Sequence, residues 1–172
     1  CLDSVLEQDY EDFEVVVIDD ASTDNSWEIM QEYANKDNRV HILKNETNRH
    51  VSASRNRAIE YLQSEYILPL DADDRLYPGA IRVMAEYLDK HRTDIVAGHL
   101  HIYSENDLNG TFHNGGWPNN TKLELQLKGH NRLPYSSMYT RKLFNRLGGY
   151  RTRIRTGVED ADFWTRALSY GY

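Results

Sequence analysis

The sequence predicts an α/β fold, a mostly parallel sheet flanked by helices, on three observations. Short apolar runs alternate with amphipathic stretches through the first hundred residues, the pattern of strands and helices taken in turn. Two apolar runs end abruptly in acid, at Asp19 and at Asp71, as strands do when they deliver side chains to a site at their carboxyl ends. Finally, 172 residues with 40% apolar content suffice for one core.

Taken in order, EVVVID at 14–19 predicts a buried strand. Trp27, Met30, Tyr33 and Ala34 recur at helical spacing, and Val40 to Leu43 begins the next strand. Val51 to Leu62 predicts a helix and YILPL at 66–70 a third strand. Pro78 opens another helix, in the first turn where proline is tolerated, with Ile81, Met84, Tyr87 and Leu88 as its stripe. DIVAGHLHIY at 94–103 predicts a strand, and the Asn-, Gly- and Thr-rich stretch 104–122 a loop or hairpin. A strand near 134–140, a short helix stopped by Gly148 and Gly149, and a last helix from about Val158 follow. The expected organisation is a single domain over 1–172, with a nucleotide-binding half at 1–102 and an acceptor-side half at 103–172.

A formal charge of −7 argues against nucleic acid or an anionic membrane as a non-specific partner, since both demand basic surface. One cysteine, Cys1, excludes an internal disulfide and a cysteine-based metal site and fits a reducing compartment. The chain opens without methionine on LDSVLEQ, which reads as helix, so it is expected to be a piece of a longer protein.

Asp71, Asp73 and Asp74 pack like charges together, which a divalent cation would relieve. On an extended segment Asp71 and Asp73 face the same side and can grip one ion, whose shell water and substrate phosphate complete. A solvated turn before the next helix suits the same residues. Asp19 and Asp20 begin DDASTD, where Asp20 can accept from a nucleobase edge and the block can equally cap a helix. Arg55 falls within the apolar stripe of Val51, Ala58, Ile59 and Leu62, so its guanidinium needs a carboxylate or a bound phosphate unless its stem carries it out to water.

In RTGVEDADFWTRAL, Thr156 and Glu159 have capping-box spacing. Asp160 sits in the first turn, where the helix dipole favours its ionised form, beside a face of Val158, Ala161, Trp164 and Leu168. A carboxylate held there can act as a general base. His99 and His101 share a strand face and read as its polar side rather than as a metal pair.

Together, VVVIDDASTDNSWEI, SASRNRAIEYLQSEYILPLDADDRLYPGAI and GVEDADFWTRAL, in this order and spacing, resemble the inverting glycosyltransferases of family 2, of GT-A (Rossmann-like) fold. The resemblance implies that Asp20 contacts the nucleobase, usually uracil. It puts Mn2+ or Mg2+ on Asp73, with Asp71 on the nucleotide or the metal shell and Asp74 as a rival metal ligand. Arg55 and Asn56 match an Arg-Asn pair near the nucleotide-sugar, Asp160 matches the catalytic base, and Glu159 stands beside it on the substrate. The implied partners are a nucleotide-sugar donor, a UDP-sugar by preference, and a glycan or lipid-linked acceptor. Polysaccharide or glycolipid synthesis in the cytoplasm, at the inner face of the membrane with peripheral association, goes with them.

Three departures stand out. The family opens with a strand and a Pro-Thr-Tyr-Asn-like loop, and this chain begins after them. His50 replaces a usual glycine, and Tyr172 precedes a region that often closes over the acceptor. A sugar nucleotidyltransferase and a catalytically degenerate nucleotide-sugar-binding module are the competing readings. The first shares strand-end acids and metal-bound nucleotide; the second would bind donor without turnover.

Overall fold

The structure, a computed structural model, describes residues 1–98, 100–104, 107–113, 136–155 and 157–172. Helix α1 (Leu2–Leu6) leads into β1 (Val15–Asp19), α2 (Ser26–Lys36), β2 (Val40–Lys44) and α3 (His50–Tyr61). The strand β3 (Tyr66–Ile67), α4 (Ala80–His91), β4 (Ile95–Val96), β5 (Leu100–Ser104) and β6 (Asp107–His113) follow. The chain then makes β7 (Met138–Thr140), α5 (Arg141–Leu147) and α6 (Glu159–Ser169). No helix among the described residues is long and apolar enough to cross a membrane.

Strands β1 and β2 pair in parallel, Val15 opposite Val40 through Asp19 opposite Lys44. The connection runs through α2, the crossover that parallel neighbours require. Strands β3 and β4 both run antiparallel to β7, which lies between them, so they are parallel to each other. The late strand thus enters the sheet in the opposite direction to those around it.

Strand β7 explains where the core sits. Met138 and Tyr139 are neighbours, so their side chains leave opposite faces of the sheet. Met138 packs with Val5, Ile81, Met84, Ala85 and Leu88, from α1 and α4. Tyr139 packs with Ile59, Leu143, Phe144, Tyr150, Phe163, Trp164 and Ala167, from α3, α5, α6 and the turn after α5. Helices therefore cover both faces. On the second face Tyr150 stacks on Phe163 at 4.6 Å between centroids, and Trp164 meets Phe163 edge-on at 5.1 Å. Aromatic burial of this kind stabilises by about 2–3 kcal/mol per ring.

Several expectations change in detail. Only Tyr66 and Ile67 of YILPL pair in the sheet, because Pro69 has no N–H for a ladder. The helix expected at Pro78 begins at Ala80, after a turn in which Ala80 N donates to Tyr77 O at 3.1 Å and Gly79 takes φ +79. Its buried stripe is Ile81, Met84, Ala85 and Leu88, and Tyr87 faces outward. The strand expected over 94–103 is split into β4 and β5, and β5 turns away to form a hairpin with β6. Residues 105, 106 and 114–135, which take in part of the 104–122 stretch expected as loop or hairpin, lie outside the described residues, as does the side-chain pair His99 and His101.

Two arginines unanticipated from the sequence tie helix ends together. Arg141 donates to the carbonyls of Ile59, Leu62 and Ser64, at and just beyond the end of α3. Arg166 donates to Leu147 O and Gly149 O, at and just beyond the end of α5, while holding Asp162 at 2.8 Å. Each neutralises carbonyls that a helix end leaves without partners.

Candidate active site

Three consecutive residues of α3 reach three separate parts of the chain. Ser54 accepts from Asn45 Nδ2 at 3.0 Å, and the same nitrogen donates to Asp20 Oδ1 at 2.7 Å. Arg55 donates to Asp71 Oδ1 at 2.6 Å and to Glu159 Oε1 at 2.9 Å. Asn56 donates to Tyr150 O and accepts from Tyr150 N, both at 2.8 Å. One helical turn thereby gathers the end of β1, the turn that follows β3 and the start of α6.

At the end of β1, Asp19 is buried and accepts from Ser22 N at 2.9 Å, with Lys44 Nζ 3.6 Å from its other oxygen. The Ser22 bond, stronger than the opposing burial, holds its carboxyl below the usual range, with help from Lys44. Asp20 Oδ1 also accepts from Arg49 N at 2.8 Å, which fixes the loop between β2 and α3. Burial is the largest single influence on Asp20 and opposes its charge. Hydrogen bonds from Arg49 N, Asn45, Ser54 and His50 N together outweigh it, so this carboxyl also sits below the usual range.

The Asp71 cluster is not the extended segment expected. Asp74 N donates to Asp71 O at 3.0 Å, closing a turn, so alternation of side chains along a strand does not apply. Asp71 is committed to Arg55, and Asp73 is exposed. Among the described residues no three His, Cys, Asp or Glu side chains form a metal cage. The oxygen donors of this turn nevertheless suit a hard divalent ion held by one or two carboxylates and completed by water and phosphate.

Glu159 departs from the capping-box expectation. The cap of α6 is Val158, so Glu159 is the first helical residue rather than the third, as a capping box with Thr156, which lies outside the described residues, would require. Glu159 is 6% exposed; one oxygen holds Arg55 and the other is buried without a hydrogen-bond partner. The buried face of α6 is Glu159, Phe163, Trp164 and Ala167, and Val158 is exposed, because the helix starts one residue later than its apolar pattern implied. Asp160, half-buried in the first turn, accepts from Ala161 N at 2.7 Å.

Arg55 satisfies its sequence expectation through carboxylates. Burial alone would ease its deprotonation, but Tyr150, Asp71 and Glu159 together raise its pKa above the ordinary value. Asn56 gives both polar atoms of its amide to the Tyr150 backbone. Tyr150 itself, pushed up to about 12 chiefly by burial, lies under the Arg55 guanidinium at 5.6 Å and hydrogen-bonds Tyr139 at 3.1 Å. Asn45 and Tyr150 were missed as organisers; an Asn directly after a strand and an aromatic after Gly-Gly were the available signals.

Asp19, Ser54, Arg55 and Asp71 line a cavity of about 1140 Å³ whose wall mixes apolar side chains, among them Val17, Leu68 and Met138, with further polar ones, among them Glu14, Gln63 and Asp89.

The family model described as Glycosyl transferase family 2 matches residues 1–148. Glycosyltransferase GlyG of Streptococcus pneumoniae is 33% identical over 113 residues, covering 66% of this chain and 38% of that protein. Residues 1–349 of Staphylococcus aureus TarS, solved in complex with UDP, superpose with a TM-score of 0.78 at 24% identity, over 97% of this chain and 49% of that one. The mannosyltransferase PcManGT of Pyrobaculum calidifontis, solved with GDP-Man and Mn2+, gives 0.72 at 21% identity, over 99% of this chain and 48% of that one. At these identities the structural likeness establishes the fold, GT-A. The chain spans well under two thirds of each of these proteins. It belongs to glycosyl transferase family 2.

Proposed function

We propose that this chain forms, as one domain, the donor-binding and catalytic part of an inverting glycosyltransferase that moves a sugar from a UDP-sugar to an acceptor hydroxyl. The observation that carries the reading is the Arg55 bridge, which holds Asp71 at the end of β3 and Glu159 beside Asp160. Nucleotide-side and acceptor-side carboxylates thereby share one polar site. The UDP in the TarS structure and the GDP-Man with Mn2+ in the PcManGT structure support a nucleotide-sugar donor.

In this reading Asp20 accepts from the nucleobase, its charge kept by the hydrogen bonds described above. Asp73 and Asp74, with Asp71, are the carboxylates that would hold Mn2+ or Mg2+, which when bound supplies positive charge for the departing diphosphate. Asp160 takes the acceptor's proton as the acceptor oxygen bonds to the anomeric carbon. The bond from that carbon to the diphosphate oxygen breaks on the opposite side. A single displacement follows, with inversion and no protein nucleophile. Glu159 and Arg55 are positioning residues for that step. The acceptor is a glycan or lipid-linked glycan, and synthesis of a surface polysaccharide or glycolipid at the cytoplasmic face of a membrane is the setting.

The test is turnover of a panel of UDP-sugars with simple acceptors, monitored by UDP release. Loss of at least about 1,000-fold in Asp160→Asn with donor binding retained supports a general base. Donor binding without turnover in the parent protein would favour a degenerate binding module. Release of pyrophosphate from nucleoside triphosphate and sugar phosphate would favour a nucleotidyltransferase.

A further inference from the structure

Asn45 follows β2 directly and is 2% exposed, and both polar atoms of its side chain are engaged. Its Nδ2 donates to Asp20 Oδ1 at 2.7 Å and to Ser54 Oγ at 3.0 Å, and its Oδ1 accepts from Arg57 Nη1. Its backbone N donates to Asp19 O at 2.8 Å, one residue past the last β1–β2 pair of Asp19 with Lys44. Asn45 is thus anchored to the residue just before Asp20, and its short side chain suffices to hold that carboxylate.

Which way the amide faces is decided by Arg57. A guanidinium only donates, so it takes the amide oxygen, and an ionised carboxylate only accepts, so it takes the amino group. Arg57 is itself held, because the same Nη1 donates to Lys44 O at 2.7 Å. Turning the amide over would set its oxygen against Asp20 and its amino group against Arg57, two repulsive contacts in place of two charge-assisted bonds. Control therefore runs from Arg57 on α3, through Asn45 after β2, to Asp20 after β1.

Asp20 receives a second close bond on the same oxygen, from Arg49 N at 2.8 Å. Two donors on Oδ1 set the plane of the carboxylate, and its other oxygen is the one presented to a ligand. Fixing that oxygen bears on what it can select. Uracil offers a ring N3–H, whereas the ring N3 of cytosine is an acceptor and the nearest donor is the amino group on the neighbouring carbon. A carboxylate free to swing can reach either donor. A fixed one meets the uracil N–H and is repelled by the cytosine ring nitrogen.

We infer that Asn45, oriented by Arg57, is a positioning residue for nucleobase selection, holding Asp20 where it accepts from uracil and discriminates against cytosine. Asn45 is too deeply buried to meet a ligand itself and acts through Asp20. The inference rests on the reading above in which Asp20 contacts the nucleobase.

The experiment titrates UDP and CDP, each with Mn2+ present, into the parent protein, Asp20→Asn, Asn45→Ala and Arg57→Ala by calorimetry, with melting temperatures as the check on folding. The parent should prefer UDP by at least about thirtyfold, and Asp20→Asn should lose that preference. Asn45→Ala should narrow the preference at least about fivefold and Arg57→Ala about threefold. A merely structural role lowers both affinities together and leaves their ratio unchanged. Arg57 is only partly buried, so its variant carries the test where Asn45→Ala does not fold. In the Asp20→Asn background Asn45→Ala should move the ratio no further. A ratio unchanged in Asn45→Ala, or in Arg57→Ala where Asn45→Ala does not fold, overturns the positioning role while a lost preference in Asp20→Asn keeps the nucleobase reading. Narrowing in Asn45→Ala without it in Arg57→Ala overturns the orienting role of Arg57. A parent without preference, a preference kept in Asp20→Asn, or no nucleotide binding at all contradicts the nucleobase reading and overturns this inference with it.

Discussion

Arg55 and Glu159, 104 positions apart in sequence, meet at 2.9 Å with side chains 12% and 8% exposed. A pair this buried contributes little net stability over apolar replacements, yet leaving either charge alone is costly. Glu159→Leu should therefore destabilise by about 2–4 kcal/mol, less than a lone buried charge because Asp71 still holds Arg55. Arg55→Met should cost about 3–5 kcal/mol, and Arg55→Met with Glu159→Leu should recover a large part of the loss. Urea unfolding of the four proteins measures this; a double variant as unstable as the sum of the singles contradicts it.

Asn56 makes two hydrogen bonds to the Tyr150 backbone, and a structural role for it is the prediction here. Asn56→Ala orphans both groups and should cost about 2–4 kcal/mol, with UDP affinity of the folded variant within about threefold of the parent. The neighbouring Gly149 gives an orthogonal check. It has φ +75, and an added Cβ would lie 2.9 Å from Asn56 Oδ1 and 3.1 Å from Phe144 Cζ. Gly149→Ala should cost at least about 2 kcal/mol by thermal or urea unfolding. A stable Asn56→Ala that fails to bind UDP would return Asn56 to the ligand.

Asp20 sets an acid limb on stability. Its folded carboxyl titrates below the ordinary 3.8, so its stabilisation is fully present above that value and is lost as pH falls through the lower folded one. Asp20→Asn should flatten the fall in melting temperature between about pH 4 and pH 2. Parallel acid limbs in the two proteins would mean that Asp20 gains nothing from Asn45 and Arg49.

The alternation of strand and helix over 15–61 was legible because each element is long enough to show its own period. Strands were also expected at β3 and β4, but their short extent and their partner were not legible, because each pairs over only two residues and that partner, β7, arrives some forty or more residues later. Apolar runs carry no record of which way a distant strand will enter. At the site, Arg55 announced itself as a charge within an apolar stripe, and its partners came from opposite ends of the fold. Spacing misassigned Glu159, because a capping box and a buried ion pair place the same residue type near a helix start. The Asp71–Asp74 turn was misread as extended for a related reason: alternation is a property of strands, and the ladder ends at Ile67.

Calorimetric titration of UDP with and without Mn2+, into the parent protein, Asp20→Asn and Asp73→Ala, tests the central claim of a nucleotide-sugar site at the ends of β1 and β3. The account predicts Mn2+-dependent binding weakened at least about tenfold by each substitution. UDP binding indifferent to Mn2+ and to both substitutions, or no binding at all, would contradict it.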